Sequence, residues 1–235
     1  GGETAAAVVA PVVAGTRGGV LEARGVSRRF GSEVALSSVD ATFRPGELAV
    51  VTGPSGSGKS TLLALLAGLD LPDAAEIVLD SVEISALSRR DRAELRRRSI
   101  AVVLQSPRLS DYQTALENVE LALALRGGDG SSAPAEALAA VGLAEHGERR
   151  VGVLSAGQRE RVALARAFAG RPAVVLADEP TARLDAATTL AIGDLLATLA
   201  RSTQTTVVCA THDPLLIGLA DRELLLARPA GVPSA

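Results

Sequence analysis

Four short runs in this chain are apolar or β-branched at nearly every position: LAVVT (48–52), IAVVL (100–104), AVVLA (173–177) and TTVVCA (205–210). A strand with one wet face alternates polar and apolar residues, so unbroken runs predict strands covered on both faces, the signature of a parallel sheet. Helical patterns such as TLLALLAGL separate the runs. That alternation predicts an α/β core with functional residues at the carboxyl ends of its strands. Between the second and third runs the texture changes. Residues 106–153 are rich in Ala, Leu and Glu, hold no convincing strand and are broken by the loop RGGDGSSAP. An inserted helical subdomain is expected at about 106–157. Residues 1–19 are poor in large side chains and punctuated by Gly and Pro, which predicts a flexible arm. The remainder, 20–235, reads as a single domain with no internal repeat. The stretch Ala5–Ala14 lacks the preceding positive charge of a signal peptide, so secretion is not expected. The leading Gly-Gly and the absence of methionine suggest a processed start.

Composition narrows the class. The 235 residues are 47% apolar and 22% charged, enough to bury a sizeable core. A net charge of −3 offers no electrostatic footprint for nucleic acid. No apolar run approaches the roughly 18–20 residues of a bilayer span, so any membrane contact is expected through a partner. The one cysteine, Cys209, rules out an internal disulfide and reads as a small core hydrophobe. Arginine outnumbers lysine 23 to 1, and the single lysine, Lys59, stands in the most glycine-dense stretch. A compact ammonium fits among phosphate oxygens where a planar guanidinium does not. The segment Arg89–Arg98 holds six arginines and two acids, which predicts a solvated helix face or a contact with headgroups or a partner.

The first strand runs into GPSGSGKS, Gly53–Ser60, and then a helix, which satisfies G-x-x-x-x-G-K-[ST] in its required context. In such a loop Gly53, Pro54, Ser55, Gly56, Ser57 and Gly58 let backbone N–H groups converge on a phosphate at a helix N-terminus that continues through Thr61. Lys59 is positioned to reach β and γ oxygens, and Ser60 to offer a hydroxyl to Mg²⁺. At the exit of the third strand, Asp178 and Glu179 are adjacent carboxylates, costly there unless a cation or substrate uses them. Asp178 suits Mg²⁺, and Glu179 suits a base polarising the water that attacks a γ-phosphate. A nucleoside triphosphate and Mg²⁺ are therefore the expected ligands.

Together with LSAGQRER (154–161), these motifs resemble the nucleotide-binding subunits of ABC transporters over about Val20 to Arg228. The resemblance implies a P-loop NTPase of the ABC ATPase type. Its mostly parallel core sheet would be flanked by helices and joined by an antiparallel β subdomain and an inserted helical subdomain. It implies that Ser155, Ala156, Gly157 and Gln158 form a second helix N-terminus, serving the nucleotide of an opposing copy. The family has glycine where this chain has Ala156. Gln105 matches the glutamine joining the Mg²⁺ site to the helical subdomain, Asp185 the aspartate loop at the dimer interface, and His212 the switch histidine at the γ-phosphate. Ala182 and Arg183 replace the usual Gly-Asn. Phe30 matches the adenine-stacking aromatic, whose flat face needs no hydroxyl. Phe43 and Phe168 read as core, Tyr112 as packing or partner contact, and His146 as solvated.

The segment Gln113–Leu125 is similar to the lipoprotein-releasing and macrolide-exporting branch, and also to the cell-division ATPase of that branch. The function implied is ATP hydrolysis that powers a separate transmembrane permease through head-to-tail homodimerisation, on the cytoplasmic face of the cell membrane. An ATP-driven switch on a non-transporting membrane partner stays open, as does a binding module that has lost hydrolysis.

Overall fold

The computed structural model describes residues 18–127 and 133–228. The chain opens with strands β1 (Leu21–Phe30) and β2 (Glu33–Phe43), then β3 (Leu48–Thr52) and helix α1 (Lys59–Leu66). Next come β4 (Ala74–Leu79), β5 (Val82–Glu83), α2 (Arg89–Ser99) and β6 (Ile100–Val103). Helices α3 (Ala115–Arg126), α4 (Ala133–Ala140) and α5 (Ala156–Phe168) follow. The chain closes with β7 (Val174–Asp178), α6 (Ala186–Thr203), β8 (Thr206–Ala210), α7 (Pro214–Gly218) and β9 (Arg222–Leu225). Among the described residues no helix is long and apolar enough to cross a membrane.

The core is a parallel five-stranded sheet of order β6-β7-β8-β3-β9. A separate antiparallel sheet has the order β2-β1-β4-β5. The four apolar runs are four adjacent strands of the parallel sheet, and their side chains alternate between two cores as a period of two requires. Leu48, Val50, Val175, Ala177, Val207 and Cys209 point to the side of α3, α5 and α6. Ala49, Val51, Val174, Leu176, Val208 and Ala210 point to α1 and the antiparallel sheet. Covering both faces is what made these strands unbroken in sequence. Strand β9 escaped that reading because an edge strand, RELL, is exposed or half-buried throughout.

Of the expected arm 1–19, residues 1–17 lie outside the described residues. Gly19 is described and buried. It donates to the Ala173 carbonyl at 3.4 Å and accepts the Thr206 hydroxyl at 2.7 Å, so the packed chain starts just before the expected boundary.

Across 106–157 the described elements are α3, α4 and short 3₁₀ turns, packed on α5 through Val119, Leu123, Leu138, Val151 and Leu154. Helix α3 begins with a reciprocal cap: Thr114 accepts the Glu117 N–H, and Glu117 accepts the Thr114 N–H. The arginine-rich α2 differs from a freely solvated face. Arg92, Arg96 and Arg97 each donate to a backbone carbonyl, those of Leu87, Gly68 and Arg126. These guanidinium groups close the open carbonyl ends of neighbouring segments and tie α2 to the turn after α1 and to the end of α3.

Candidate functional site

The loop between β3 and α1 is shaped by its glycines. Gly58 caps α1 at φ +90°, and a β-carbon there would stand 2.3 Å from the Ala35 carbonyl oxygen, so only glycine fits. Gly53, at φ +144°, is as tightly hemmed by the Leu226 carbonyl at 2.5 Å. No side chain caps α1, which leaves its first N–H groups free for an anion. Lys59 Nζ lies across this loop, donating to the Gly53 carbonyl at 2.9 Å and the Pro54 carbonyl at 3.2 Å. The Ser57 hydroxyl is buried and has no hydrogen-bond partner among the described residues.

A cavity of about 430 Å³ opens over the loop, lined by Phe30, Ser55–Thr61, Asp178 and Glu179 among others. Its size falls within the range of small-ligand pockets. Asp178 ends β7 in register with Ala210, and Glu179 follows in a left-handed conformation, φ +46°. A non-glycine residue held there costs about 1–3 kcal/mol and persists only where surroundings over-determine it. Here the Glu179 N–H donates to the Ala210 carbonyl at 2.9 Å, and His212 Nδ1 lies 2.7 Å from Glu179 Oε1. The carboxylate is therefore aimed by its strand exit and by the imidazole, with Glu179 mostly buried and His212 exposed. The cavity offers what a magnesium nucleotide needs: unclaimed N–H donors, one ammonium, the Ser60 hydroxyl and the Asp178 carboxylate.

The remaining expected residues gather elsewhere. Ser155 caps α5 and shares a reciprocal cap with Gln158. With Ala156, Gly157 and Asp185 they line a second cavity of about 460 Å³. Ala156 is exposed and sits in the first turn of α5 without needing a left-handed backbone, so its β-carbon is tolerated there. Gly157 is the constrained position, since a β-carbon would stand 2.7 Å from Thr188 Cγ2. Asp185 caps α6, accepting from the Thr188 N–H at 2.9 Å and hydroxyl at 2.8 Å, and these bonds hold its carboxyl below the ordinary range. That capping task was not read from the sequence, although D-x-x-T before an apolar helix carries the signal.

Gln105, beyond the end of β6, lines a third, smaller hollow with Ser106, Ala156, Glu160 and Arg183 rather than the phosphate cavity. Arg183 donates to the Ser106 hydroxyl at 3.2 Å, linking the segment after β7 to the segment after β6. Glu160, at the floor of this hollow, is buried, and burial pushes its carboxyl up to about 8 against the opposing pull of Arg166. Its Oε1 has no partner among the described residues. Sequence reasoning gave Glu160 no role, because its burial depends on the packing of α5 against the sheet. Cys209 is fully buried, and its thiol is pushed well above the ordinary range by that burial and by the Glu179, Asp178 and Glu160 carboxylates.

A family model described as ABC transporter matches residues 36–182, more than half of the chain. The chain belongs to the ABC transporter family. The lipoprotein-releasing system ATP-binding protein LolD of Bordetella pertussis is 44% identical over 192 residues, 80% of this chain and 83% of the relative. LolD of Xanthomonas campestris pv. campestris is 40% identical over 228 residues, 96% and 94% of the two chains. These relatives match the lipoprotein-releasing branch expected from the sequence. Among solved structures, the ATP-binding cassette MJ0796 in a dimeric post-hydrolysis state bound to ADP and Pi aligns with a TM-score of 0.76 at 34% identity. The alignment covers 88% of this chain and 94% of that one. A second dimeric structure of MJ0796 aligns at TM-score 0.75 and 35% identity. The expected ABC ATPase fold, with its parallel core and antiparallel sheet, is the one found, and the chain is an ABC ATPase subunit.

Proposed function

We propose that this ABC subunit binds MgATP between Phe30 and the phosphate loop and hydrolyses it when a second copy supplies the Ser155–Gln158 corner. One observation carries the reading. The residues expected around one triphosphate fall into two separate cavities of a single chain, Phe30 with Ser55–Thr61, Asp178 and Glu179 in one, and Ser155–Gln158 with Asp185 in the other. A head-to-tail pair brings the first cavity of each copy against the second of its partner. The dimeric state of the MJ0796 cassette supports this arrangement.

In the closed pair the free N–H groups of the loop and of α1 bind the β-phosphate, and Lys59 leaves the loop carbonyls for the β and γ oxygens. Ser60 and Asp178 would hold Mg²⁺, with Gln105 joining them once the segment after β6 moves from its own hollow toward the cavity on closure, and the ion would offset the negative charge of the phosphates. Glu179 accepts a proton from the attacking water as the bond from the γ-phosphorus to the bridging oxygen breaks. His212 orients that carboxylate and faces the γ-phosphate, while Ser155 and the start of α5 in the partner meet the charge that develops there. The two copies seat on a transmembrane permease at the cytoplasmic face of the membrane, touching lipid only through it, with no nucleic-acid partner. The LolD relatives favour this transport role over a switch on a non-transporting partner.

Glu179→Gln tests the reading. The variant should bind MgATP, elute as a dimer in light-scattering chromatography, and release phosphate at a small fraction of the parent rate. Near-normal turnover, or a monomer at saturating MgATP, would refute it.

A further inference from the structure

The face of Phe30 is not left to itself. The Arg28 guanidinium carbon lies over its ring, 4.8 Å from the centroid, within the distance at which a cation is held by a π-face. Arg28 and Phe30 are two apart on β1, so they share one face of the strand, at a place where register shifts mark a bulge. The guanidinium is in turn fixed by two carboxylates, Asp70 at 2.9 Å and Asp73 at 2.8 Å. Asp73 also accepts the Arg29 N–H at 2.6 Å, so the backbone between cation and ring is held as well. The Arg28 side chain is mostly covered, while Phe30 is 51% exposed and lines the cavity over the glycine-rich loop.

Asp70 and Asp73 lie in the turn just beyond α1, the helix whose other end carries Lys59. One helix is therefore tied to both ends of the cavity. Its N-terminus borders the glycine-rich loop, and the turn past its C-terminus fixes, through Arg28, the Phe30 ring. We infer that Arg28 is a positioning residue for nucleobase recognition: clamped by Asp70 and Asp73, it backs one face of Phe30 and presents the other to a purine. This rests on the reading of Phe30 as the base-stacking ring. A free phenyl ring would lose rotamer freedom on binding, whereas a ring already layered on a fixed guanidinium has been ordered by the fold. Arginine suits the task better than lysine, because its plane can lie over the ring while its edge engages two carboxylates.

The experiment compares the Kd for MgATP with the Kd for magnesium inorganic triphosphate, which has the phosphates and no base, in Arg28→Gln, Phe30→Ala and the double variant. Arg28→Gln should weaken MgATP by about two- to tenfold, the scale of one cation–π contact, and leave inorganic triphosphate unchanged. In the Phe30→Ala background Arg28→Gln should have no further effect, and Arg28→Lys alone should recover part of the loss. Arg28→Met, which keeps the straight stem, replaces Arg28→Gln if that variant does not accumulate as folded protein. Equal weakening of both ligands would make Arg28 a general structural residue and overturn the inference. So would unchanged MgATP affinity in Arg28→Gln when Phe30→Ala binds weakly, although the reading of Phe30 would then stand. If Phe30→Ala itself binds MgATP normally, the base-stacking reading falls and takes the inference with it.

Discussion

Replacing Glu160 by glutamine should stabilise this protein at alkaline pH and do little in mild acid. The carboxyl is 4% exposed, has one oxygen without a partner among the described residues, and titrates at about 8 against an ordinary 4.5. The folded chain therefore keeps a proton that the unfolded chain releases, and stability falls as pH rises from about 4.5 to about 8. At 1.36 kcal/mol per pH unit over that interval, the loss has a ceiling of about 5 kcal/mol, of which about 3 kcal/mol lies above pH 5.5. Glutamine has nearly the same shape as the protonated acid and cannot ionise. Urea unfolding of both proteins at pH 5.5 and pH 8.5 isolates the effect, since every other titrating group cancels in the difference between the two. The advantage of Glu160→Gln over the parent should grow by about 3 kcal/mol between the two pH values. An advantage that stays constant, or shrinks, would show that Glu160 is ionised in the folded protein and that the reasoning from burial is wrong.

Gly58→Ala should abolish MgATP binding in isothermal titration, because its β-carbon would meet the Ala35 carbonyl oxygen at 2.3 Å and the backbone at φ +90° would be strained. Native protein should resist alkylation at Cys209 and react only once unfolded, as followed by mass spectrometry, since the thiol is fully buried with its ionisation suppressed. Thr114→Ala removes one half of the reciprocal cap on α3 and should cost about 0.5–2 kcal/mol, lowering Tm by about 2–4 °C per kcal/mol in calorimetry.

The parts of the candidate site that could be read in advance are local in the chain. The turn Gly53–Ser60 needs its glycines, its lysine and a following helix within a dozen residues, and the carboxylates 178 and 179 need only the strand before them. For Ser155 and Gln158 a helix start is what the family resemblance implies, and the structure gives them that geometry. Gln105 shows the limit of such reading: its place after β6 was legible, but not that it lines a hollow with Glu160 and Arg183 away from the phosphate cavity. The arginines of α2 show it too, because their carbonyl partners lie in Leu87, Gly68 and Arg126, and the last two belong to other elements.

By itself the chain determined its four buried strands, the glycine-rich loop before a helix and the family, because these are written in runs and spacings of a few residues. Only the tertiary structure decided that Phe30 has a clamped cation over its ring, that Glu160 is buried with its carboxyl pushed up, and that Gln105 lines a hollow of its own. Each of these depends on residues tens of positions apart being packed together, and burial, solvation and contact distance are properties of that packing rather than of any local pattern.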